Sequence, residues 1–370
     1  MQPPTQISPE TLRDWLEQKK PVKIIDIRPE ADYNDWHISE ADNIDVYHQI
    51  GRGSPGQLAE LTPAEGIPLV TVCYVGQTSK LAAQYLASRG IDSYSLTGGM
   101  QWWSLAWNSA EMKLENTQTR VIQIRRSGKG CLSYIIGSVN EAVVIDPSVS
   151  SEVYANIAKE NGWQIKHILD THIHADHLTR GLVLAKETDA TYYLPEQDRA
   201  KFEYVSLKDN QIIGFGDSKI KAIHSPGHTI ESMTFLLDDQ ILFSGDTVFP
   251  NGMGRPDLES SDPDEIKTHS RHLYKSLQNI KNYKNNLILL AGHTSKPVPF
   301  DDNPIFADVK ETLNKIELLN LDEDGFVNDI VKRIPPTPPN YLNILYFNQA
   351  GIYPDGDVTT LEAGPNRCAI

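Results

Sequence analysis

Thr171-His172-Ile173-His174-Ala175-Asp176-His177 is the stretch whose reading decides the fold. It sets three imidazoles and a carboxylate within six positions. Before it, Lys166 to Asp170 reads as a short apolar strand; after it, Leu178 to Lys186 reads as a helix. A strand-to-helix loop projects its side chains into one cleft, which is where metal ligands belong. Working outward, three more segments end apolar runs with chemistry-bearing residues. Ser225-Pro226-Gly227-His228-Thr229 puts an imidazole in a Gly/Pro turn. Asp246 follows Ile241-Leu242-Phe243, and His293 follows Leu287 to Leu290. Four loops converging on one point would bring together five His and two Asp. Nitrogen and oxygen donors without thiolate suit zinc or iron better than Cu(I).

The order His-x-His-x-Asp-His, then His228, Asp246 and His293, resembles the metallo-β-lactamase superfamily over about residues 119 to 370. The resemblance implies two mixed sheets sandwiched between helices (αββα), with metal at one sheet edge. Further strings resemble one branch, the persulfide dioxygenases: Gly130-Cys131-Leu132-Ser133-Tyr134, Ile145-Asp146-Pro147, Gly254-Arg255-Pro256-Asp257, Pro338-Pro339-Asn340-Tyr341 and Asn366-Arg367-Cys368. By that resemblance His172, His228 and Asp246 bind one Fe(II) per chain, and His174, Asp176, His177 and His293 orient ligands or water. A low-molecular-weight persulfide would be oxidised to sulfite and free thiol. Glyoxalase II-like hydrolases offer the alternative. There His172, His174, His228 and Asp246 would hold one zinc, Asp176, His177, Asp246 and His293 a second, and a hydroxide would attack a thioester. Both branches can carry all seven residues, so the ligand types leave the choice open. Pro256 stands where many dioxygenases have Thr, and Thr294-Ser295 follow His293 where relatives carry an acidic residue and Tyr.

Residues 1–108 read as a compact α/β unit. Ser8 and Pro9 open a helix as N-cap and first residue. Val22 to Ile27, Leu69 to Cys73 and Ser93 to Leu96 are apolar strands, and Ser79 to Ser88 has helical spacing. Apolar strands alternating with helices imply a parallel sheet covered on both faces. Cys73 ends a strand, and Gly76, Gln77 and Thr78 lead into a helix. Such a loop cradles anions and activates a thiol; a buried, inert Cys is the plainer reading. Ile24-Ile25-Asp26-Ile27-Arg28, the Cys73 to Lys80 loop and Leu96-Thr97-Gly98-Gly99-Met100 resemble the single-domain rhodaneses. By that resemblance Cys73 carries a sulfane sulfur. A cysteine phosphatase needs Arg six positions after the Cys to grip phosphoryl oxygens, and Ser79 stands there.

Residues 109–118 are polar and read as a linker to a second domain, 119–370. Tyr341 is followed by an apolar run, Leu342 to Phe347, that reads as a strand. Asn303 to Leu319 reads as a helix. Cys131 reads as core. The net charge of −15 argues against nucleic acid and anionic membrane as partners. Small persulfides or thiosulfate are the expected partners, a homodimer is compatible, and Arg255 is the candidate for the carrier's anionic group. No run approaches the ~20 apolar residues of a membrane span, and the N-terminus lacks a signal-peptide pattern. Three cysteines make no disulfide framework, so a cytoplasmic protein is expected.

Overall fold

The computed structural model describes residues 5–370 apart from 63, 115–117, 259, 284–285 and 338–339. The N-terminal sheet is wholly parallel. Its strands run Thr5–Ile7, Ser93–Leu96, Leu69–Val72, Lys23–Asp26 and Ala41–Asn43 in spatial order. Two apolar clusters cover its faces. One is built around Leu12, Ile24, Val70 and Trp103, the other around Ile25, Leu58, Leu69 and Leu86. That two-sided burial is why these strands read as unbroken apolar runs rather than alternations. The opening helix, Pro9–Glu17, is capped as its sequence requires, with Ser8 Oγ accepting from Thr11 N at 3.2 Å.

The larger domain packs a seven-stranded sheet on a six-stranded one. Side chains such as Tyr134, Ile145, Phe235 and Phe243 fill the layer between them. Helices Ser151–Glu160 and Gly181–Thr188 contribute Tyr154 and Leu184 to the outer face of the first sheet. Pro263–Lys281, Val309–Lys315 and Glu323–Ile330 cover the second with Leu273, Leu313 and Phe326. The result is an αββα sandwich behind a rhodanese-like parallel-sheet domain.

Three local readings are corrected. The linker assigned to 109–118 begins as a strand: Asn108–Lys113 pairs antiparallel with Arg120–Arg126 and forms the edge of the seven-stranded sheet. Asn108 and Ala110 are buried while Glu111 and Lys113 are exposed, a period of two that a window of polar residues conceals; residues 115–117 lie outside the described residues. Leu342–Phe347 belongs to a helix, Tyr341–Ala350. Ile344 and Asn348 face inward, four apart, whereas Leu342 and Tyr346 are 68% and 61% exposed. Four-residue spacing on both faces is helical. The helix expected over 303–319 shrinks to Val309–Lys315, because Ala307–Asp308 is drawn into the sheet beside Ile288–Ala291.

Candidate metal centre and sulfur-carrier cysteine

Each ligand loop leaves the same end of the sandwich. His172 to His177 follow strand Gln164–Leu169, His228 follows Ser218–His224, Asp246 follows Ile241–Gly245 and His293 follows Ile288–Ala291. The two sheets are stitched together here: Leu132 N donates to Gly292 O at 2.7 Å and Cys131 bridges His293. Gly292 is required by close approach, since a Cβ would lie 2.6 Å from Asp246 Oδ1.

All seven expected residues gather, and all are buried. Two groupings stand out, and Asp246 links them, since it also lies within reach of His293 and Cys368. His172, His228 and Asp246 present ligand atoms within 4.8 Å of one another. Asp246 Oδ2 lies 3.4 Å from His228 Nε2 and 4.0 Å from His172 Nε2. The distal ring nitrogens are fixed by Thr171 Oγ1 at 2.9 Å for His172 Nδ1 and by Arg255 O at 3.0 Å for His228 Nδ1. Burial lowers the pKa of both imidazoles, which favours the form whose lone pair a metal needs. Burial alone would raise Asp246; His293 and its hydrogen bond outweigh that and hold the carboxyl below the usual carboxylate range.

The second group contains Asp176, His177, His293 and Cys131. His177 Nδ1 is 3.0 Å from Asp176 Oδ1, and His293 Nδ1 is 2.6 Å from Asp246 Oδ1. Burial opposes protonation of His177, but Asp176 and Cys131 push its pKa up to about 10. His293 is raised in the same way by Asp246 and Asp176 against its burial. His174 lies between the groups, its Nε2 held by Asp146 Oδ1 at 3.2 Å.

The residues fit a metal. His174 Nδ1, His177 Nε2, His293 Nε2 and Asp246 Oδ2 are buried without a hydrogen bond. Buried polar atoms are rarely left so, and four at one point mark a cation site.

Supporting contacts come from parts of the chain the ligand motif does not announce. Asp146 braces the loop, accepting from Thr171 N at 2.7 Å. Asn348 Nδ2 donates to His174 O at 2.7 Å and His177 O at 2.8 Å, and its Oδ1 accepts from Thr179 N. Glu362 accepts from Leu178 N at 2.6 Å and pairs with both Arg126 and Arg180. Asn366 Nδ2 donates to Asp176 Oδ2 at 3.0 Å. Glu362 and Asn348 had no signal in the sequence; Asn366 was visible only as part of the tail string.

Two assignments change. Cys131 is no mere core residue: its Sγ lies 3.6 Å from Asp176 Oδ2, and Cys368 approaches the other side, beside Asp246 and His293. Two thiols therefore stand beside the histidine and aspartate cluster. Arg255, the candidate for an anionic carrier group, is fully buried. Its Nε and Nη2 grip Asp257, and its remaining donors reach the carbonyls of Pro335, Pro336 and Arg367. It braces the tail, with no donor left for substrate. Of the Pro338-Pro339-Asn340-Tyr341 string, the two prolines lie outside the described residues; Tyr341 shares a small pocket with His172, His228 and Cys368.

In the N-terminal domain Cys73 sits at the end of strand Leu69–Val72, before helix Thr78–Ser88. Its Sγ receives Ser79 N–H at 3.4 Å and lies 3.3 Å from Ser79 Oγ, which in turn meets Ser95 Oγ at 2.9 Å. Gly76 has φ +76°, and a Cβ there would come within 2.8 Å of Leu96 O and Gly98 N; only glycine folds the loop this tightly. Gln77 and Thr78 carry the chain from that turn into the helix. A cavity of about 310 Å³ lies between the domains. Arg28, Trp36 and Tyr74, the neighbour of Cys73, form one wall; Lys129, Arg367 and Asp176 are on the other.

Comparison with known proteins agrees with this layout. Residues 126–293 match the Metallo-beta-lactamase superfamily and residues 8–106 the Rhodanese-like domain. A hydroxyacylglutathione hydrolase from Prochlorococcus marinus (strain MIT 9301) is 30% identical over 184 residues, 47% of this chain and 71% of that protein. Other relatives of that name are spanned over only 46% to 60% of their length. A metallo-beta-lactamase from Staphylococcus aureus subsp. aureus COL superposes with a TM-score of 0.57 at 26% identity, covering 63% of this chain and 73% of its own. ETHE1 from Myxococcus xanthus shares the fold, with a TM-score of 0.54 at 23% identity over 62% of this chain and 98% of its own. This chain belongs to the metallo-beta-lactamase superfamily, with a rhodanese-like domain ahead of the metal-binding fold.

Proposed function

We propose that the larger domain oxidises a low-molecular-weight persulfide with dioxygen to sulfite at a single iron, and that Cys73 exchanges sulfane sulfur with the same pool. One observation carries the reading: His172, His228 and Asp246 bring two imidazoles and one carboxylate within 4.8 Å of one another. Two His and a carboxylate on one face are the donor set of non-haem Fe(II) oxygenases. Iron held by His172, His228 and Asp246 would supply the one-electron chemistry that joins dioxygen to sulfur. The net conversion, RSSH + O2 + H2O to RSH, bisulfite and a proton, balances in atoms and charge.

The chain's own residues hold that centre. Thr171 Oγ1 and the Arg255 carbonyl orient the two imidazoles, and Asp246 Oδ1 is committed to His293, leaving Oδ2 for the metal. Tyr341, Leu258 and Cys368 border the approach to His172 and His228. At Cys73, the Ser79 N–H would stabilise charge on a transferred sulfur. The cavity from Tyr74 to Asp176 offers a common approach to the two domains, with thiosulfate or a persulfide as the expected substrate class. Nothing in the site calls for nucleic acid, and no described helix is long and apolar enough to cross a membrane.

A second reading has its own support. The relatives are named hydroxyacylglutathione hydrolases, and the group around Asp176, His177 and His293 provides donors for a second metal. Two zinc ions and thioester hydrolysis would follow. The deciding experiment is metal analysis of anaerobically purified full-length protein with oxygen uptake on adding glutathione persulfide. One iron per chain with oxygen consumed in step with sulfite supports the proposal. Two zinc ions per chain, cleavage of S-lactoylglutathione and no oxygen uptake would sink it.

A further inference from the structure

The cavity between the domains carries a cation whose charge the protein does not balance. Arg28, Lys129 and Arg367 all line it. Arg28 is paired with Asp26 at 2.6 Å and Arg367 with Asp35 at 2.9 Å. Lys129 is only 8% exposed, and its Nζ donates to a neutral partner, the Glu362 carbonyl, at 2.7 Å. The Glu362 carboxylate is already taken by Arg126 and Arg180, so three buried cations meet one carboxylate. Among the described residues, no carboxylate forms an ion pair with Lys129. The acidic groups of the lining do not fill that role. Asp35 is paired with Arg367, Asp176 is engaged by His177, His293 and Asn366, and Asp32 is exposed to solvent.

The position of Lys129 is fixed by both domains. It lies in the turn between strands Arg120–Arg126 and Cys131–Ser138. Its backbone N donates to Arg126 O at 2.9 Å. From the N-terminal domain, Trp36 Nε1 donates to Gly128 O at 2.8 Å, and a Cβ on Gly128 would come within 1.8 Å of Trp103 O. The wedged turn places Lys129 on the same cavity as Tyr74, the residue after Cys73.

We propose that Lys129 is the anion anchor of this cavity and that its ligand is thiosulfate, the sulfur donor to Cys73, held by its sulfonate end. A buried ammonium without a counter-charge is costly, and a small bound dianion removes that cost. Of the three ammonium donors, the Glu362 carbonyl takes one; the other two suit sulfonate oxygens. A volume of about 310 Å³ is at the low end for ligand pockets, which favours a small anion over a bulky carrier thiol. Attack by the Cys73 thiolate on the sulfane sulfur forms one S–S bond and breaks the S–S bond of thiosulfate. The bonding electron pair leaves with sulfite. Cys73–S⁻ and S2O3²⁻ become Cys73–SS⁻ and SO3²⁻, with equal charge on both sides, and an ammonium on the same cavity offsets the charge gathering on sulfite. The inference rests on the Cys73 half of the proposed function and not on the reaction at the metal centre.

The test is calorimetric titration of thiosulfate into full-length Cys73→Ala protein, in which no sulfur can be transferred. Binding is expected, and adding Lys129→Met, which keeps the length of the side chain, should weaken it about tenfold or more. Lys129→Arg should restore part of the affinity. With Cys73 intact, Lys129→Met should raise the KM for thiosulfate by a similar factor and change kcat little. Sulfate, an unreactive mimic of the sulfonate, should compete with thiosulfate in the otherwise wild-type protein, a measurement that needs no Lys129 variant to fold. No thiosulfate binding, affinity indifferent to Lys129→Met in folded protein, or failure of sulfate to compete each overturns the proposal. Thiosulfate held by Lys129 without turnover would leave the anchor standing and remove the carrier role of Cys73; transfer that ignores Lys129 would do the reverse.

Discussion

Asp146 touches no site for substrate, yet it holds two parts of the metal loop at once. Its Oδ1 meets His174 Nε2 at 3.2 Å and Thr171 N at 2.7 Å, and its Oδ2 receives Thr171 Oγ1. Carboxylates that orient ligand histidines matter nearly as much as the ligands. Asp146→Ala should therefore weaken metal binding about 10- to 100-fold, measured by competition with a chromophoric chelator; unchanged affinity would mean the loop is held by other contacts. At the other active residue the expectation is sharper. Cys73→Ala should abolish transfer of sulfur from thiosulfate to cyanide while leaving the metal content untouched, because Cys73 and the ligands reside in different domains. Persistent transfer would remove the carrier role of the thiol. Ser79, where a phosphatase would have Arg, is engaged with Cys73 and Ser95, which agrees with rejecting phosphatase chemistry from the sequence.

At the scale of the element, helix Tyr341–Ala350 is the informative case. It was legible as an apolar run but not as a helix, since short apolar runs suit either state. Its inward residue Asn348 ties three backbone groups of the metal loop and the residues after it. Losing three such bonds, with buried groups left unpaired, should make Asn348→Ala less stable by about 3 kcal/mol, measured by chemical denaturation of the metal-free protein. A loss below about 1 kcal/mol would show that water replaces the amide. The edge strand Asn108–Lys113 makes the same point from the other side. Backbone pairing with Arg120–Arg126 forms a strand from residues whose composition alone suggests a linker.

On the scale of the whole molecule, Glu362 joins what the chain separates. It is fully buried, pairs with Arg126 and Arg180, and accepts from the backbone immediately after His177. Arg126 also donates to Ser104 O beside the N-terminal domain. Burial would raise the Glu362 carboxyl, but the two guanidinium groups outweigh it and hold it well below its ordinary value. A depressed carboxylate stabilises the fold above its unfolded pKa, and that contribution is lost as pH falls. Wild-type protein should thus lose stability progressively below about pH 4.5, and Glu362→Gln should flatten that dependence. Breaking the triad from one side also strands two buried cations, so Glu362→Gln should cost about 3 to 5 kcal/mol at neutral pH. Thermal unfolding followed across pH checks both; parallel curves for variant and wild type would assign acid lability to other groups. The domains also meet through Trp36 Nε1 to Gly128 O at 2.8 Å and the Arg367–Asp35 pair. Since that pair is partly exposed, Arg367→Ala should change stability by only about 0 to 1 kcal/mol.

The expected ligand residues were visible in the sequence because the loops that carry them follow strands, and strand ends are local facts of pattern. The same holds for the parallel N-terminal sheet, whose two-sided burial shows as unbroken apolar runs. What the sequence could not state is which residues from remote segments fill the spaces between those loops. Cys131, Asn348, Glu362 and Cys368 reach the centre from positions 45 to 190 residues away, counting Cys131 to Asp176 and the Asn366 turn that carries Cys368. Their placement is a product of two sheets closing on one another. Arg255 illustrates the cost of reasoning without that closure: a guanidinium reads as a substrate anchor until the fold surrounds it with carbonyl oxygens. Chemistry that depends on neighbours in the chain was decided locally; the grouping of the donors was decided by packing, because only packing sets distances between side chains that no covalent path relates.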